Sequence, residues 1–218
     1  VPVYQLLGGK TRDRIKSYAS DIYWEESLGK MVENAERIVG LGFKAIKAHI
    51  GYGSPKEDYR RVKAVRKAVG PEIELMIDLN CGYDSVDAYQ ACKLWEEFDL
   101  KWIEEPLNPN HCDRLADLRK RISIPIACGE NEFQIYGFKR IFDAKAVDFA
   151  MPDIGRAGGI QETKNICALA DAYGVPVSPH NFSSGVLLAA TIHLLASTPN
   201  ADLLEIDTSG NAVYEELL

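Results

Sequence analysis

What this 218-residue chain lacks sets the first bounds on it. It has no run of about 18 apolar residues, the length needed to cross a bilayer, so a membrane role is not expected. It has no basic cluster either. Its 25 Lys and Arg stand against 32 Asp and Glu, a net charge of −7, whereas nucleic-acid binding needs a phosphate-neutralising face. The five cysteines, Cys81, Cys92, Cys112, Cys128 and Cys167, form no C-x-x-C pair and are odd in number. They read as reduced thiols of a cytoplasmic protein, with no zinc or disulfide framework. No G-x-G-x-x-G follows the first expected strand, which counts against dinucleotide binding. The chain also opens Val1-Pro2-Val3 with no Met, so its start is not expected to be a natural initiation site and the absence of a signal peptide says little.

What is present fits a globular domain with one large core: 46% of residues are hydrophobic and 26% charged. The length is lean for an eight-stranded α/β barrel, which typically takes about 250 residues. Apolar periodicity alternates between short buried strands and amphipathic helices. Strands are expected at Ile15–Ser20, Ala45–Ile50, Ile73–Ile77, Lys101–Ile103, Pro125–Ala127, Val147–Met151, Val175–Ser178 and Leu203–Glu205. Helices are expected from Ser27, a candidate N-cap, to Val39, then from Pro55 through Val62, Val65 and Val69. Further helices are expected at Val86–Phe98, Asp113–Lys120, Phe133–Phe142, Ile160–Tyr173 and Gly185–Ala196. Eight strands and seven helices in strict alternation imply a parallel sheet, either doubly wound or closed into a barrel.

The placement of polar residues separates these two architectures. Lys47 and His49, Asp78 and Asn80, Glu104, Glu130, Asp153, His180 and Glu205 all fall at C-terminal strand ends, which in a barrel converge on one mouth. Asp78, Glu104 and Glu130 end three successive strands. Three oxygen donors without thiol or imidazole suit Mg²⁺, with the remaining positions left for water and substrate. The plainer alternative is that each carboxylate caps a helix or pairs with a surface Arg. Glu105 and Glu132 alternate away from this set and are expected to face outward or to support it. His180, in Ser178-Pro179-His180, is the leading proton-transfer candidate, because Asp153 on the neighbouring strand would orient its ring and raise its basicity. His111 in a polar loop and His193 inside an apolar helix are expected to be exposed and packed, respectively. The Gly155–Gly159 loop reads as a flexible strand-to-helix turn, although it could touch an anionic substrate.

Taken in order, these residues resemble the barrel domain of the enolase superfamily, mandelate racemase subgroup, over essentially the whole chain. Leu6-Leu7-Gly8-Gly9 resembles the barrel-entry segment, and Ala45-Ile46-Lys47-Ala48-His49-Ile50-Gly51-Tyr52 the K-x-K strand. Met76-Ile77-Asp78-Leu79-Asn80 resembles the D-x-N strand, Ile103-Glu104-Glu105-Pro106 the E-E-P motif and Gly129-Glu130-Asn131 the G-E-N motif. Met151-Pro152-Asp153 with Ser178-Pro179-His180 resembles the Asp–His dyad, and Leu203-Leu204-Glu205 the last-strand Glu. The resemblance implies a modified (β/α)7β barrel spanning 15–207, entered by a linker over 1–14 and followed by a tail over 208–218. It implies one Mg²⁺ per barrel, held by Asp78, Glu104 and Glu130 and binding a substrate carboxylate. It also implies that Lys47 neutralises that carboxylate and that His180 moves the α-proton with Asp153 behind it. Glu205 would hydrogen-bond the enediolate oxygen, and Asn80 and His49 would join Lys47 and Glu205 in contacting substrate. A small-molecule carboxylate, a sugar acid by this resemblance, is the expected partner, and the full-length protein is expected to be a homo-oligomer.

One residue departs from the pattern: His49 stands where the second Lys of K-x-K, the opposite-face base of the racemase, would be. That disfavours two-base racemisation and favours dehydration of an aldonate or aldarate to a 2-keto-3-deoxy acid. A racemase or epimerase of a 2-hydroxy acid is the first alternative. A muconate-cycloisomerase or dipeptide-epimerase relative would carry Lys at both ends of the barrel, and a glycoside hydrolase would need only two of the acids. The capping domain that family members carry is not seen in the sequence. An uncapped mouth would be wet, so the chain by itself is expected to bind Mg²⁺ but turn over poorly, or to be a non-catalytic barrel fragment.

Overall fold

The computed structural model describes residues 1–215. Its elements run α1 (Val3–Leu6), β1 (Lys16–Ile22), α2 (Leu28–Gly40), β2 (Ala45–His49), α3 (Pro55–Val69), β3 (Glu74–Asp78) and α4 (Ser85–Trp95), which tightens into a 3₁₀ turn at Glu96–Phe98. They continue with β4 (Leu100–Glu104), α5 (Cys112–Arg121), β5 (Ile126–Cys128), α6 (Gln134–Asp143), β6 (Phe149–Ala150) and α7 (Ile154–Ala157). The last are α8 (Ile160–Ala172), α9 (Gly185–Ala196), β7 (Leu203–Ile206) and α10 (Ala212–Glu215). The end of the expected tail, Glu216, Leu217 and Leu218, lies outside the described residues. The chain divides into two compact units, 18–127 and 1–17 with 128–218.

In the 18–127 unit the strands pair in parallel in the order β5-β4-β3-β2-β1. The register sets Lys47 against Met76, His49 against Asp78, and Asp78 against Glu104. Ala45, Ile46 and Ala48 are buried, as are Leu75, Met76 and Ile77, the continuous apolar run of strands covered on both faces. The helices follow their sequence signals. Met31, Ala35 and Ile38 bury one face of α2, although Ser27, at the N-cap position, makes no side-chain capping bond. Ser54 and Glu57 close a capping box around Pro55 at the start of α3, where Val62 and Val65 are buried and Val69 is only half-buried. Gly82 is required by a close backbone approach: a Cβ there would sit 2.4 Å from the Gly51 carbonyl oxygen.

The unit of 1–17 and 128–218 corrects the expected eight strands and seven helices. The strand expected at Val175–Ser178 is reduced to bridges from Val177 to Ala150 and to Ala201, and the one expected at Val147–Met151 shortens to Phe149–Ala150. Prolines account for this. Pro152, Pro176 and Pro179 carry no N–H, so the ladder cannot continue through them. The remaining backbone groups still pair: Met151 N donates to Cys128 O (3.0 Å), Ser178 N to Ala150 O (2.9 Å) and Asp202 N to Val177 O (2.9 Å). Three short helices, α1, α7 and α10, add to the expected set. Leu188, Leu195, Leu204 and Tyr214 form a buried cluster, with Ile15 packed against it. The five cysteines are free, and burial pushes the Cys92 and Cys167 thiols up to about 12, so both stay protonated.

Candidate active site

In the 18–127 unit the ends of β2, β3 and β4 gather one cation and two carboxylates. Lys47 is fully buried, and its Nζ lies 2.8 Å from Glu104 Oε2 and 3.3 Å from Asp78 Oδ2, both carboxylates being 1% exposed. The Tyr18 ring faces the same ammonium at 5.6 Å. Residues two apart on a strand share a face, so Lys47 brings His49 with it. His49 Nε2 lies 2.8 Å from Ser20 O, and its Nδ1 lies 3.3 Å from Asn80 Oδ1 and 3.4 Å from Asp78 Oδ2. Tyr23 stacks on the ring at 4.9 Å. The Asn80 amide donates to Asp78 Oδ1 at 2.9 Å. Asn80 and Cys81 both adopt positive φ, 42° and 60°, a strained turn directly after the Asp78 strand end.

Of the two positions expected for Glu105, outward or in support of the acid set, burial rules out the first. It is 1% exposed at φ 41°, and the Cys81 thiol donates to its Oε2 at 3.2 Å. Sequence reasoning missed Asp58 altogether. This buried acid on α3 accepts from Trp24 Nε1 (3.1 Å), the Gly51 and Gly53 amides (3.0 and 3.2 Å) and Tyr83 O–H (2.6 Å), so it ties together the segments that follow β1, β2 and β3. Its place in a charged helix gives no sign of this. His111 is exposed, on the wall of a cavity of about 400 Å³ shared with Cys81, Tyr83, Asp84, Leu107 and Arg114.

In the other unit the site is built around an imidazole. His180 Nδ1 lies 2.7 Å from Asp153 Oδ2, and its Nε2 lies 3.2 Å from Glu130 Oε2. Asp153 also caps α7, its Oδ1 accepting from the Gly155 and Arg156 amides at 2.6 and 3.2 Å. Burial pushes the Asp153 carboxyl up, but the His180 hydrogen bond and charge, the Gly155 amide and the Arg156 cation outweigh it and hold it below the usual range. The Gly155–Gly159 loop therefore opens as a helical turn, which corrects the expected flexible connection, and it delivers Arg156 Nη1 to within 3.1 Å of Glu130 Oε1.

Gly129 precedes Glu130 at φ 143°, and a Cβ there would meet Phe138 at 2.8 Å, which explains the glycine of Gly129-Glu130-Asn131. Glu205 Oε2 accepts from the Asn181 amide N–H at 2.8 Å, while the Asn181 side chain donates to Glu205 O and to Tyr214 Oη, both at 3.0 Å. Asn181 and Tyr214 carried no sequence signal. Glu132, 5% exposed, is also buried and pairs with Arg140 at 2.6 Å. Burial raises its carboxyl pKa against the lowering effect of that Arg. His193 is half-buried and stacks on Tyr4 at 5.7 Å.

These motifs and the parallel α/β architecture define a family: the chain belongs to the Enolase C-terminal domain-like family, whose model matches residues 30–218. Its fold class is that of the C-terminal barrel domain of the enolase superfamily. The chain is 33% identical to D-galactarolactone cycloisomerase of Agrobacterium fabrum, covering 99% of this chain and 60% of that protein. It is 32% identical to D-xylonate dehydratase of Haloferax volcanii, covering 100% of this chain and 57% of that protein. The crystal structure of 3,6-anhydro-D-galactonate cycloisomerase from Zobellia galactanivorans superposes with a TM-score of 0.94 at 39% identity, covering 99% of this chain and 60% of that one. The chain thus spans about three fifths of the length of these relatives. Among the described residues no helix is long and apolar enough to cross a membrane.

Proposed function

We propose that this protein removes the proton α to the carboxylate of a sugar acid and dehydrates an aldonate or aldarate to a 2-keto-3-deoxy acid, with Mg²⁺ as its metal. The observation that carries the reading is the His180–Asp153 pair. A carboxylate fixed on Nδ1 leaves Nε2 as the atom that takes the proton, and it stabilises the imidazolium that results. The donor set fits the metal. Asp78, Glu104 and Glu130 are buried and offer only oxygen, and Asp78 and Glu104 together carry more negative charge than Lys47 neutralises. When bound, Mg²⁺ would stabilise the negative charge that develops on the substrate carboxylate as the α-proton leaves.

The chain's own residues supply the rest. Lys47 adds fixed positive charge beside that carboxylate. His180 Nε2 takes the α-proton and returns it to the departing β-hydroxyl, so that water leaves on the same face and the enol product tautomerises to the keto acid. Glu205, in its protonated form, hydrogen-bonds the developing oxygen, held by the Asn181 amide. Asn80 and His49 border the same strand ends as Asp78.

The test is to incubate the Mg²⁺-loaded protein with a library of aldonic and aldaric acids and to follow product mass and keto-acid formation. A product lighter by one water is expected, and no turnover across the library would count heavily against dehydration. The cycloisomerases among the relatives favour a second reading, isomerisation of a sugar lactone or anhydro-sugar acid, in which the product mass is unchanged. Epimerisation would also leave the mass unchanged but would exchange the α-proton in both configurations.

A further inference from the structure

None of the residues that line the cavity of about 400 Å³ in the 18–127 unit has a part in the proposed chemistry. The cavity opens between the segment that follows β3 and the one that follows β4, and its size is that of a small-molecule site. One wall is fixed before anything binds. Asn110 N donates to Asn108 Oδ1 and His111 N to Asn108 O, both at 3.0 Å, and the Cys112 thiol donates to Pro109 O at 3.1 Å. Tyr83 and Leu107 are buried, and the Tyr83 hydroxyl is committed to Asp58 at 2.6 Å. A ring and an aliphatic side chain therefore form an apolar floor.

The rim is polar and carries an unpaired cation. Arg114 and His111 lie three residues apart at the start of α5, a spacing that puts them on one face. Neither side chain has a hydrogen bond or an ion pair with any described residue. His111 holds the N-cap position without making a side-chain capping bond, so the first-turn amides add partial positive charge there. The Ser85 hydroxyl and the Asn108 amide nitrogen are also without partners among the described residues, and both can meet hydroxyl groups. The acid on the rim, Asp84, turns Oδ1 to the Val86 and Asp87 amides at 2.8 and 2.9 Å as the cap of α4.

We propose that this cavity is a binding site for a small polyhydroxylated monocarboxylate, with the carboxylate on Arg114 and the hydroxyls on Ser85 and Asn108 above the floor of Tyr83 and Leu107. A guanidinium fork matches a carboxylate in two parallel hydrogen bonds. A dianion such as phosphate would bring two charges to one fixed cation and would face Asp84 as well. The proposal does not rest on the function proposed above, because binding here needs neither Mg²⁺ nor turnover.

Cys81 reports on the site. It lines the cavity, and it alone among the five cysteines is not buried. With EDTA present, alkylation of Cys81 by iodoacetamide, followed by peptide mass spectrometry, should slow as D-gluconate saturates the site. D-Glucitol, the same carbon chain without the charge, and inorganic phosphate should protect far less. Arg114→Met should raise the gluconate concentration needed for protection by about tenfold or more, the cost of losing a charge-assisted hydrogen bond. Arg114 is exposed, so the variant keeps its fold. Protection unchanged in Arg114→Met would place the ligand elsewhere, and equal protection by glucitol or by phosphate would remove the carboxylate as the recognised group. No protection by gluconate would leave the cavity without this ligand. Each of these results overturns the proposal.

Discussion

The two units place their functional side chains by different means. In 18–127, five paired strands set His49, Asp78 and Glu104 side by side in register, and the backbone ladder does the positioning. In 128–218 the ladder is interrupted by prolines, and side chains take over. Asp153 caps α7 and holds His180, Ser178 Oγ accepts from the Leu203 amide at 3.0 Å, and Asn181 ties Glu205 to Tyr214. The first arrangement keeps charges fixed and suits the holding of a cation and a carboxylate. The second leaves an imidazole on a hydrogen-bonded mount and suits the movement of a proton.

That contrast can be broken by substitution, and the largest effect is expected at the mount. His180→Asn should cut turnover by at least about 10²-fold, measured as kcat in the presence of Mg²⁺, with little change in fold by circular dichroism. A loss below tenfold would place proton transfer elsewhere. Lys47→Met should damage the ladder unit instead. With the metal chelated, it leaves Asp78 and Glu104 buried without their cation and should cost about 3–5 kcal/mol in urea unfolding, much of it recovered on adding Mg²⁺.

Smaller effects sharpen the same comparison. Asn181→Ala removes side-chain hydrogen bonds to Glu205 O and Tyr214 Oη and should cost about 1–3 kcal/mol by the same assay. The Asp153 carboxyl is held below its ordinary value in the folded protein. Its contribution is therefore complete above the unfolded pKa and is lost as pH falls through the lower folded one. Thermal unfolding should accordingly show a decline in stability below about pH 4 that Asp153→Asn flattens. Ser54→Ala, which removes the α3 cap on the ladder unit, should cost about 0.5–2 kcal/mol and leave turnover unchanged.

The same contrast explains how much could be read from the sequence. The parallel α/β class, the helix faces around Met31, Ala35 and Ile38, and the strand-end positions of Lys47, Asp78 and Glu104 follow from periodicity, and the structure places them as expected. Hydrophobicity alone predicts a strand at Val175–Ser178, but Pro176 and Pro179 lack the N–H groups that would extend the ladder beyond the Val177 bridges. Alternation leaves Glu105 and Glu132 either outward or in support of the acid set, and it cannot choose between these because Glu105 sits at positive φ where the chain leaves the strand and Glu132 turns to pair with Arg140. Asp58 and Asn181 were invisible because their roles come from contacts with backbone and side chains distant in sequence. The positions of Asp153 and His180 at neighbouring strand ends suggest a contact, and the structure sets His180 Nδ1 2.7 Å from Asp153 Oδ2.

The most direct measurement is α-deuterium incorporation from D₂O into sugar acids, read by mass spectrometry with Mg²⁺ present, for the protein and for its His180→Asn variant. The account predicts exchange in one configuration that requires Mg²⁺ and disappears in the variant. Exchange that survives His180→Asn, or that occurs without Mg²⁺, would contradict it.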